Sequence, residues 1–167
     1  MLGGGILNIR ERTGWIGEWE IIVRDRAGNI IERTGLRPNL IMDAGLNMFA
    51  DLLAGTITDG EIKYVALGSG SAPSTLDMAK LADEKWRKLV TYQQKDPATP
   101  GVLYTELFVS DDEANDFHCQ EIGWFAGSGA TGTKDSGIMI ARVLYNRQKT
   151  NLESWTIRRT DTIRRGS

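Results

Sequence analysis

Alternation between apolar and polar positions defines the first extended segment of the chain. Trp19, Ile21 and Val23 occupy alternate positions, and a second apolar segment begins at Ile30. The two segments are separated by Ala27-Gly28-Asn29, and a short glycine-containing connection of this kind is typical of a β-hairpin. The pattern therefore predicts a hairpin near the start of the folded domain.

The next pattern has a helical period, with apolar residues recurring at spacings of three and four: Leu46, Phe49, Ala50 and Leu53. This period predicts one amphipathic helix over residues 41–54. Asn39 or Asp43 is a candidate N-cap, and Gly55 stands where a C′ glycine belongs. Gly45 lowers helix stability by about 1 kcal/mol relative to alanine, so we expect a close backbone contact at that position.

The rest of the chain consists of short apolar segments separated by polar, glycine-rich or proline-containing connections. The strands predicted there cover residues 63–67, 86–93, 102–110, 117–126, 138–145 and 154–163. Seven or eight short strands with one helix predict a mainly-β fold, a β-sandwich. We divide the chain into an extended arm (1–14), a single β-sandwich domain (15–163) and a basic tail (164–167).

Composition narrows the classes of function. The 20 Lys and Arg residues nearly balance the 22 Asp and Glu residues, so we expect no direct nucleic-acid partner. No apolar run approaches the roughly 20 residues of a membrane-spanning helix, and the first residues lack the pattern of an export signal. We therefore expect no membrane partner, and synthesis in a cytoplasm.

The sequence contains no strong motif for catalysis, metal binding or phosphate binding. One cysteine, Cys119, excludes an intramolecular disulfide, and one histidine, His118, excludes any site that needs two imidazoles. Neighbouring residues on a strand point to opposite faces, which separates this pair. The acidic run 111–116 lacks the residue order of a calcium-binding EF-hand and favours a turn. Gly68-Ser69-Gly70-Ser71 lacks the lysine of a phosphate-binding loop. We therefore expect a protein that has no enzymatic activity and binds no cofactor or metal.

The five tryptophans leave two interpretations open. Tryptophan at strand positions is usually core or interface material, but exposed indole rings could also form a platform for sugars. A receptor- or glycan-binding module is therefore kept as an alternative of another class. It requires several tryptophans on one solvent-facing surface.

Both ends of the chain are candidates for contacts with other subunits. The arm carries three glycines followed by Ile6-Leu7-Asn8-Ile9, a short apolar segment that could bind another chain. Four arginines lie in the last ten residues and suit salt bridges with an acidic neighbour. The expected interface residues are Ile6, Leu7, Ile9, Trp15, Arg158, Arg159, Arg164 and Arg165.

Several short segments, taken in order over residues 15–163, resemble bacteriophage tail-fibre-like or minor virion structural proteins. They include Asn39-Leu40-Ile41, Val65-Ala66-Leu67-Gly68-Ser69-Gly70, Glu121-Ile122-Gly123-Trp124-Phe125, Met139-Ile140-Ala141-Arg142 and Trp155-Thr156-Ile157. The resemblance implies a non-enzymatic component of a phage virion, made in the bacterial host cytoplasm.

We therefore expect a tail- or fibre-associated structural protein that binds copies of itself and other virion structural proteins. A homo-oligomer is expected, with a trimer as the first guess. A capsid decoration protein that clamps shell subunits with its arm is the alternative within this class.

Overall fold

The computed structural model describes residues 14–165, which form ten strands and one helix. The strands are β1 (Gly14–Asp25), β2 (Ile30–Arg33), β3 (Arg37–Asn39), β4 (Ile62–Gly68), β5 (Glu84–Leu89), β6 (Tyr92–Lys95), β7 (Val102–Val109), β8 (His118–Ala126), β9 (Ile138–Gln148) and β10 (Glu153–Arg164). The helix α1 covers Asp43–Ala54. The predicted mainly-β sandwich is confirmed.

The first sheet has the strand order β2-β1-β10-β7-β6, and β3 also pairs with β1. Strands β1 and β10 form its centre and pair antiparallel without interruption, from Gly14 opposite Arg164 to Asp25 opposite Glu153. The alternating residues Trp19, Ile21 and Val23 point into the main core, as the sequence pattern predicts. Period-two alternation therefore sets which face of β1 contacts the main core.

The second sheet has the order β5-β4-β8-β9 and is also antiparallel. Its inner face contributes Val65, Leu67 and Ile122 to the main core. Its outer face is covered by a second apolar cluster that includes Ala66 and Phe125 together with residues of two connecting loops. Because both faces of this sheet are covered at its centre, most of β4 and β8 is buried with little alternation.

The helix begins at Asp43, two residues after the predicted start, and neither predicted N-cap serves that role. Met42 is the N-cap and makes no side-chain cap. The amide of Asp43 instead donates to the carbonyl of Leu76 at 2.9 Å, so a tertiary contact replaces the capping side chain. At the other end Gly55 adopts the left-handed conformation with φ of 70°, which confirms the predicted C′ glycine.

Gly45 has the close backbone contact that its place in a helix predicts. A Cβ atom at this position would lie 3.2 Å from the Cα atom of Ile140 in β9. The backbone of Met42 also donates to the carbonyl of Ile140 at 2.9 Å. The first turn of α1 is therefore held directly against the edge of the second sheet.

The predicted count of seven or eight strands is too low, in part because one predicted strand is two. Segment 86–93 divides into β5 in the second sheet and β6 in the first. At the crossing, Val90 donates its amide to the carbonyl of Lys63 in β4, and Thr91 donates to Glu106 in β7. Consecutive residues therefore bond to different sheets, and no local pattern marks this change. The three-residue strand β3 was also not predicted.

The first and last strands reach slightly beyond the predicted domain limits. Strand β1 begins at Gly14 and β10 ends at Arg164, one residue outside the predicted domain at each end. The candidate arm residues Ile6, Leu7 and Ile9 lie outside the described residues. Within residues 14–165, no helix has the length and apolar character needed to cross a membrane.

Two glycines with positive φ provide a test of the packing. Gly28 has φ of +88° with open space around its missing Cβ, whereas Gly101 has φ of +82° and would direct a Cβ onto the carbonyl oxygen of Ile163. We expect Gly28→Ala to lower the free energy of unfolding by about 1–2 kcal/mol through backbone strain alone. Gly101→Ala should cost more, because the backbone of β10 must also move. Urea denaturation measures both losses, and equal losses would contradict this account.

Candidate functional site

The two adjacent arginines of β10 lie on opposite faces of the first sheet. Arg159 points into the sandwich, with 1% of its surface exposed, whereas the side chain of Arg158 is 44% exposed on the outer face. Alternation along a strand requires this separation. The sequence predicts subunit contacts for both arginines, whereas in the structure they lie in different environments.

Arg159 forms a buried ion pair with Asp161, two residues further along the same face. Its Nε and Nη2 atoms donate to the two carboxylate oxygens at 2.8 and 2.6 Å. Its Nη1 atom donates to Asn39 Oδ1 at 3.1 Å, and the guanidinium lies over the ring of Trp124 at 5.2 Å. The prediction of Arg159 as an interface residue is therefore wrong, because its charge is already paired inside the domain.

Gly17 provides the space for this cluster. It lies opposite Asp161 in the pairing of β1 with β10, and a Cβ atom there would lie 2.5 Å from Arg159 Nη2. The indole of Trp15 donates to Asp161 at 2.7 Å. Sequence reasoning missed Asp161 and Gly17 in this role. The available signal was the i, i+2 spacing of Arg159 and Asp161, which places opposite charges on one face of a strand.

Arg158 belongs to a row of alternating charges on the outer face of the first sheet. Glu20, Arg158 and Glu106 lie directly opposite one another on β1, β10 and β7. Arg158 donates to Glu106 at 2.8 Å and lies 3.6 Å from Glu20, and its hydrogen bond to Glu106 raises the pKa of its guanidinium. We call this surface the ladder face. Partly exposed pairs of this kind contribute only about 0–1 kcal/mol each.

An apolar groove opens at the end of the sandwich where the described chain begins. It has a volume of about 210 Å³ and lies between α1 and the ends of β1, β7 and β10. We call it the end groove; it is lined mainly by Trp15, Phe49, Leu52, Ile62, Leu103 and Ile163. The interface prediction for Trp15 stays a prediction, but the structure places this residue in an apolar, partly open site.

Arg164, the last residue of β10, and Arg165, which follows it, are both exposed. Arg164 lies opposite Gly14, so the basic end of the chain and the start of β1 are adjacent. Their role in subunit contacts stays a prediction.

The five tryptophans, all within the described residues, do not share one solvent-facing surface. Trp19, Trp124 and Trp155 are at most 4% exposed, and Trp15 and Trp86 are half-buried against the main core. The arrangement is that of core residues, and it does not supply the exposed platform that a sugar-binding module requires.

His118 and Cys119 are separated by the sheet, as predicted. Cys119 is buried, whereas His118 is exposed and its ring contacts the side chain of Asn146. Burial raises the pKa of the Cys119 thiol to about 12. A thiol with so high a pKa is a poor nucleophile at neutral pH.

The glycine-rich loop after β4 is bound to an internal carboxylate. Glu121 accepts hydrogen bonds from the amides of Gly70, Ala82 and Asp83 at 2.8–3.0 Å. The same carboxylate pairs with Arg142 at 2.7 Å, and both side chains are fully buried. The Gly70 amide that a phosphate-binding loop would present to a ligand is therefore already used.

The acidic run after β7 surrounds a lysine ammonium group. Lys149 Nζ donates to the carbonyl of Asp111 at 3.2 Å and to Asn115 Oδ1 at 3.0 Å. Lys149 is 1% exposed, and this burial lowers the pKa of its ammonium. The described residues contain no group of three or more His, Cys, Asp or Glu side chains placed to hold a metal ion.

Comparison with protein-family models, with curated proteins and with solved structures found no match for this chain.

The neighbouring arginines offer a matched pair of variants. We expect Arg159→Ala to lower the free energy of unfolding by about 3–5 kcal/mol, because it leaves the Asp161 carboxylate buried without its partner. Arg158→Ala, on the ladder face, should cost about 1 kcal/mol or less. Urea denaturation followed by tryptophan fluorescence gives both values. Similar losses for the two variants would show that the inward and outward environments are not energetically distinct.

Cys119 should be inert in the folded protein. With a pKa of about 12, roughly one thiol in 10⁴ is ionised at pH 8, so iodoacetamide should modify the native chain very slowly and the unfolded chain fully. A Leu152→Cys variant provides a matched exposed thiol, because Leu152 is 61% exposed. Native Cys119 reacting as fast as the added thiol would overturn the assignment of a buried, un-ionised side chain.

Proposed function

We propose that this chain is a non-enzymatic structural protein of a phage virion, tail- or fibre-associated, that assembles through self-association and through arm contacts with neighbouring virion subunits. The observation that supports the assembly role is the end groove, an apolar site lined by Trp15, the residue that follows Gly14 at the start of β1. The phage context is supported by the sequence resemblance alone.

Buried charged side chains that are paired inside the domain support a structural role. The buried arginines Arg142 and Arg159 each bind a buried carboxylate, and Lys149 is satisfied by loop oxygens. Such pairs contribute to a specific, rigid arrangement and leave their donors unavailable to a substrate. A rigid block that presents fixed surfaces is what an assembly subunit needs.

The surfaces that remain differ in character. The end groove is apolar, and burial of apolar area is the main source of stable association. The ladder face is charged, with Tyr92 and Tyr104 at its margin 49% and 40% exposed. Charged faces of this kind favour orientation and partner choice over affinity. We assign the end groove to self-association and the ladder face to contacts with other virion proteins.

Deletion of residues 1–13 tests the proposal. The truncated protein should keep its fold, because all ten strands and the helix described in residues 14–165 remain, but it should not be incorporated into particles. Circular dichroism measures the fold, and immunoblotting of purified particles measures incorporation. Normal incorporation of the truncated protein would contradict the role of the arm.

Labelling of the full-length chain on intact particles separates the placements. Antibody-gold label on the tail or fibres is the expected result in electron microscopy. Label spread over the capsid shell would instead support the decoration role. A particle that forms normally and contains none of the chain would overturn the proposal as a whole.

A further inference from the structure

The end groove is an incomplete end of the main hydrophobic core. Met48 and Ile62 at its base belong to that core, while Ile163 at its margin is 44% exposed. Trp15, Leu52 and Leu103 are only partly buried although they pack against the core. The layer of side chains that would close this end is not supplied by residues 14–165.

The chain itself contains a segment with suitable chemistry outside the described residues. Ile6-Leu7-Asn8-Ile9 is apolar, and in an extended segment Leu7 and Ile9 lie on one face. Four residues, 10–13, separate this segment from Gly14. Ile9 and Gly14 are five residues apart, which at about 3.3–3.6 Å per residue spans at most about 18 Å, so the segment must bind near the point where β1 starts.

The direction of β1 favours a groove on another copy. Trp15, the second residue of β1, lies opposite Ile163 and lines the groove of its own domain. Chain that continues the strand backwards from Gly14 leads away from this groove, and a return would require a reversal within residues 10–13. Two copies with their end grooves facing each other need no reversal, because each arm starts beside the groove of the other.

We infer that the end groove binds the segment Ile6–Ile9 of a second copy of this chain, so that arms are exchanged between subunits. This inference rests on the proposed function and names the site through which self-association occurs. In a closed symmetric oligomer, exchange fills the end groove of every copy with the arm of another copy. This holds for two or for three subunits around the axis.

Disulfide trapping between two differently tagged chains tests the exchange. One chain carries Leu7→Cys and the other carries Ile163→Cys, and the two are co-expressed and oxidised. We expect a covalent dimer that contains both tags. Cys119 can remain in both chains because it is buried.

Two controls distinguish arm exchange from binding of the arm in the groove of its own chain. A chain with Cys119 alone, co-expressed with the Ile163→Cys chain, should give no dimer. A single chain with both substitutions reports binding within one molecule. If that chain gives only an internally linked monomer, and the co-expressed pair gives no mixed dimer, the groove holds its own arm and the inference is wrong.

A second measurement does not depend on engineered thiols. Ile163→Asp places a charge in the groove at a partly exposed position, and it should weaken self-association at least about tenfold in sedimentation velocity. Leu152→Asp, at an exposed leucine in the turn between β9 and β10, should leave it within about twofold. Circular dichroism checks that both variants fold. Equal association of Ile163→Asp and the unchanged protein would overturn the inference.

The two proposals fail in different ways. Absence of mixed dimers together with label on phage particles removes arm exchange and leaves the virion role. Mixed dimers together with particles that lack the chain support arm exchange and remove the virion role.

Discussion

The pair of Arg159 and Asp161 inside the sandwich constrains much of the structure around it. A charged pair is stable in an apolar interior only when its remaining donors and acceptors are also satisfied. Here Asn39 from β3 accepts one guanidinium bond and Trp15 from β1 donates to the carboxylate. Gly17 must lack a side chain so that the guanidinium fits. One ion pair therefore links three strands of the first sheet at the end of the domain where the arm begins.

This arrangement connects the core with the proposed binding site. Asp161 holds the indole of Trp15, and Trp15 and Asp161 both line the end groove. The orientation of an apolar groove residue is therefore set by a buried polar contact. The side of the groove formed by β1 and β10 is therefore held by the same contacts that join these two strands to β3.

Buried ion pairs also hold loops over the second sheet. Glu121 and Arg142 hold the loop that follows β4, and Arg87 pairs with Glu84 at 2.6 Å while donating to the carbonyls of Thr131 and Ser136. The guanidinium of Arg87 also lies 4.5 Å from the ring centroid of Phe125. Two arginine–glutamate pairs thus fasten two loops over the outer face of this sheet. As a result, the outer face of the second sheet is covered in the described residues, whereas the outer face of the first sheet carries the partly exposed Arg158.

Features that depend on backbone geometry and local contacts could be predicted from the amino-acid pattern. The alternation of Trp19, Ile21 and Val23 indicates the face of β1 that contacts the main core, and Gly55 indicates the end of the helix, because both depend on residues that are close in the chain. Only tertiary packing produced the contacts of Arg159 with Asn39 and Trp124, the crossing of the chain between sheets at Val90 and Thr91, and the cap of the helix by Leu76. Each of these depends on segments that are distant in sequence and meet only when the two sheets pack, so no local pattern indicates them, whereas the i, i+2 spacing of Arg159 and Asp161 is visible in the sequence.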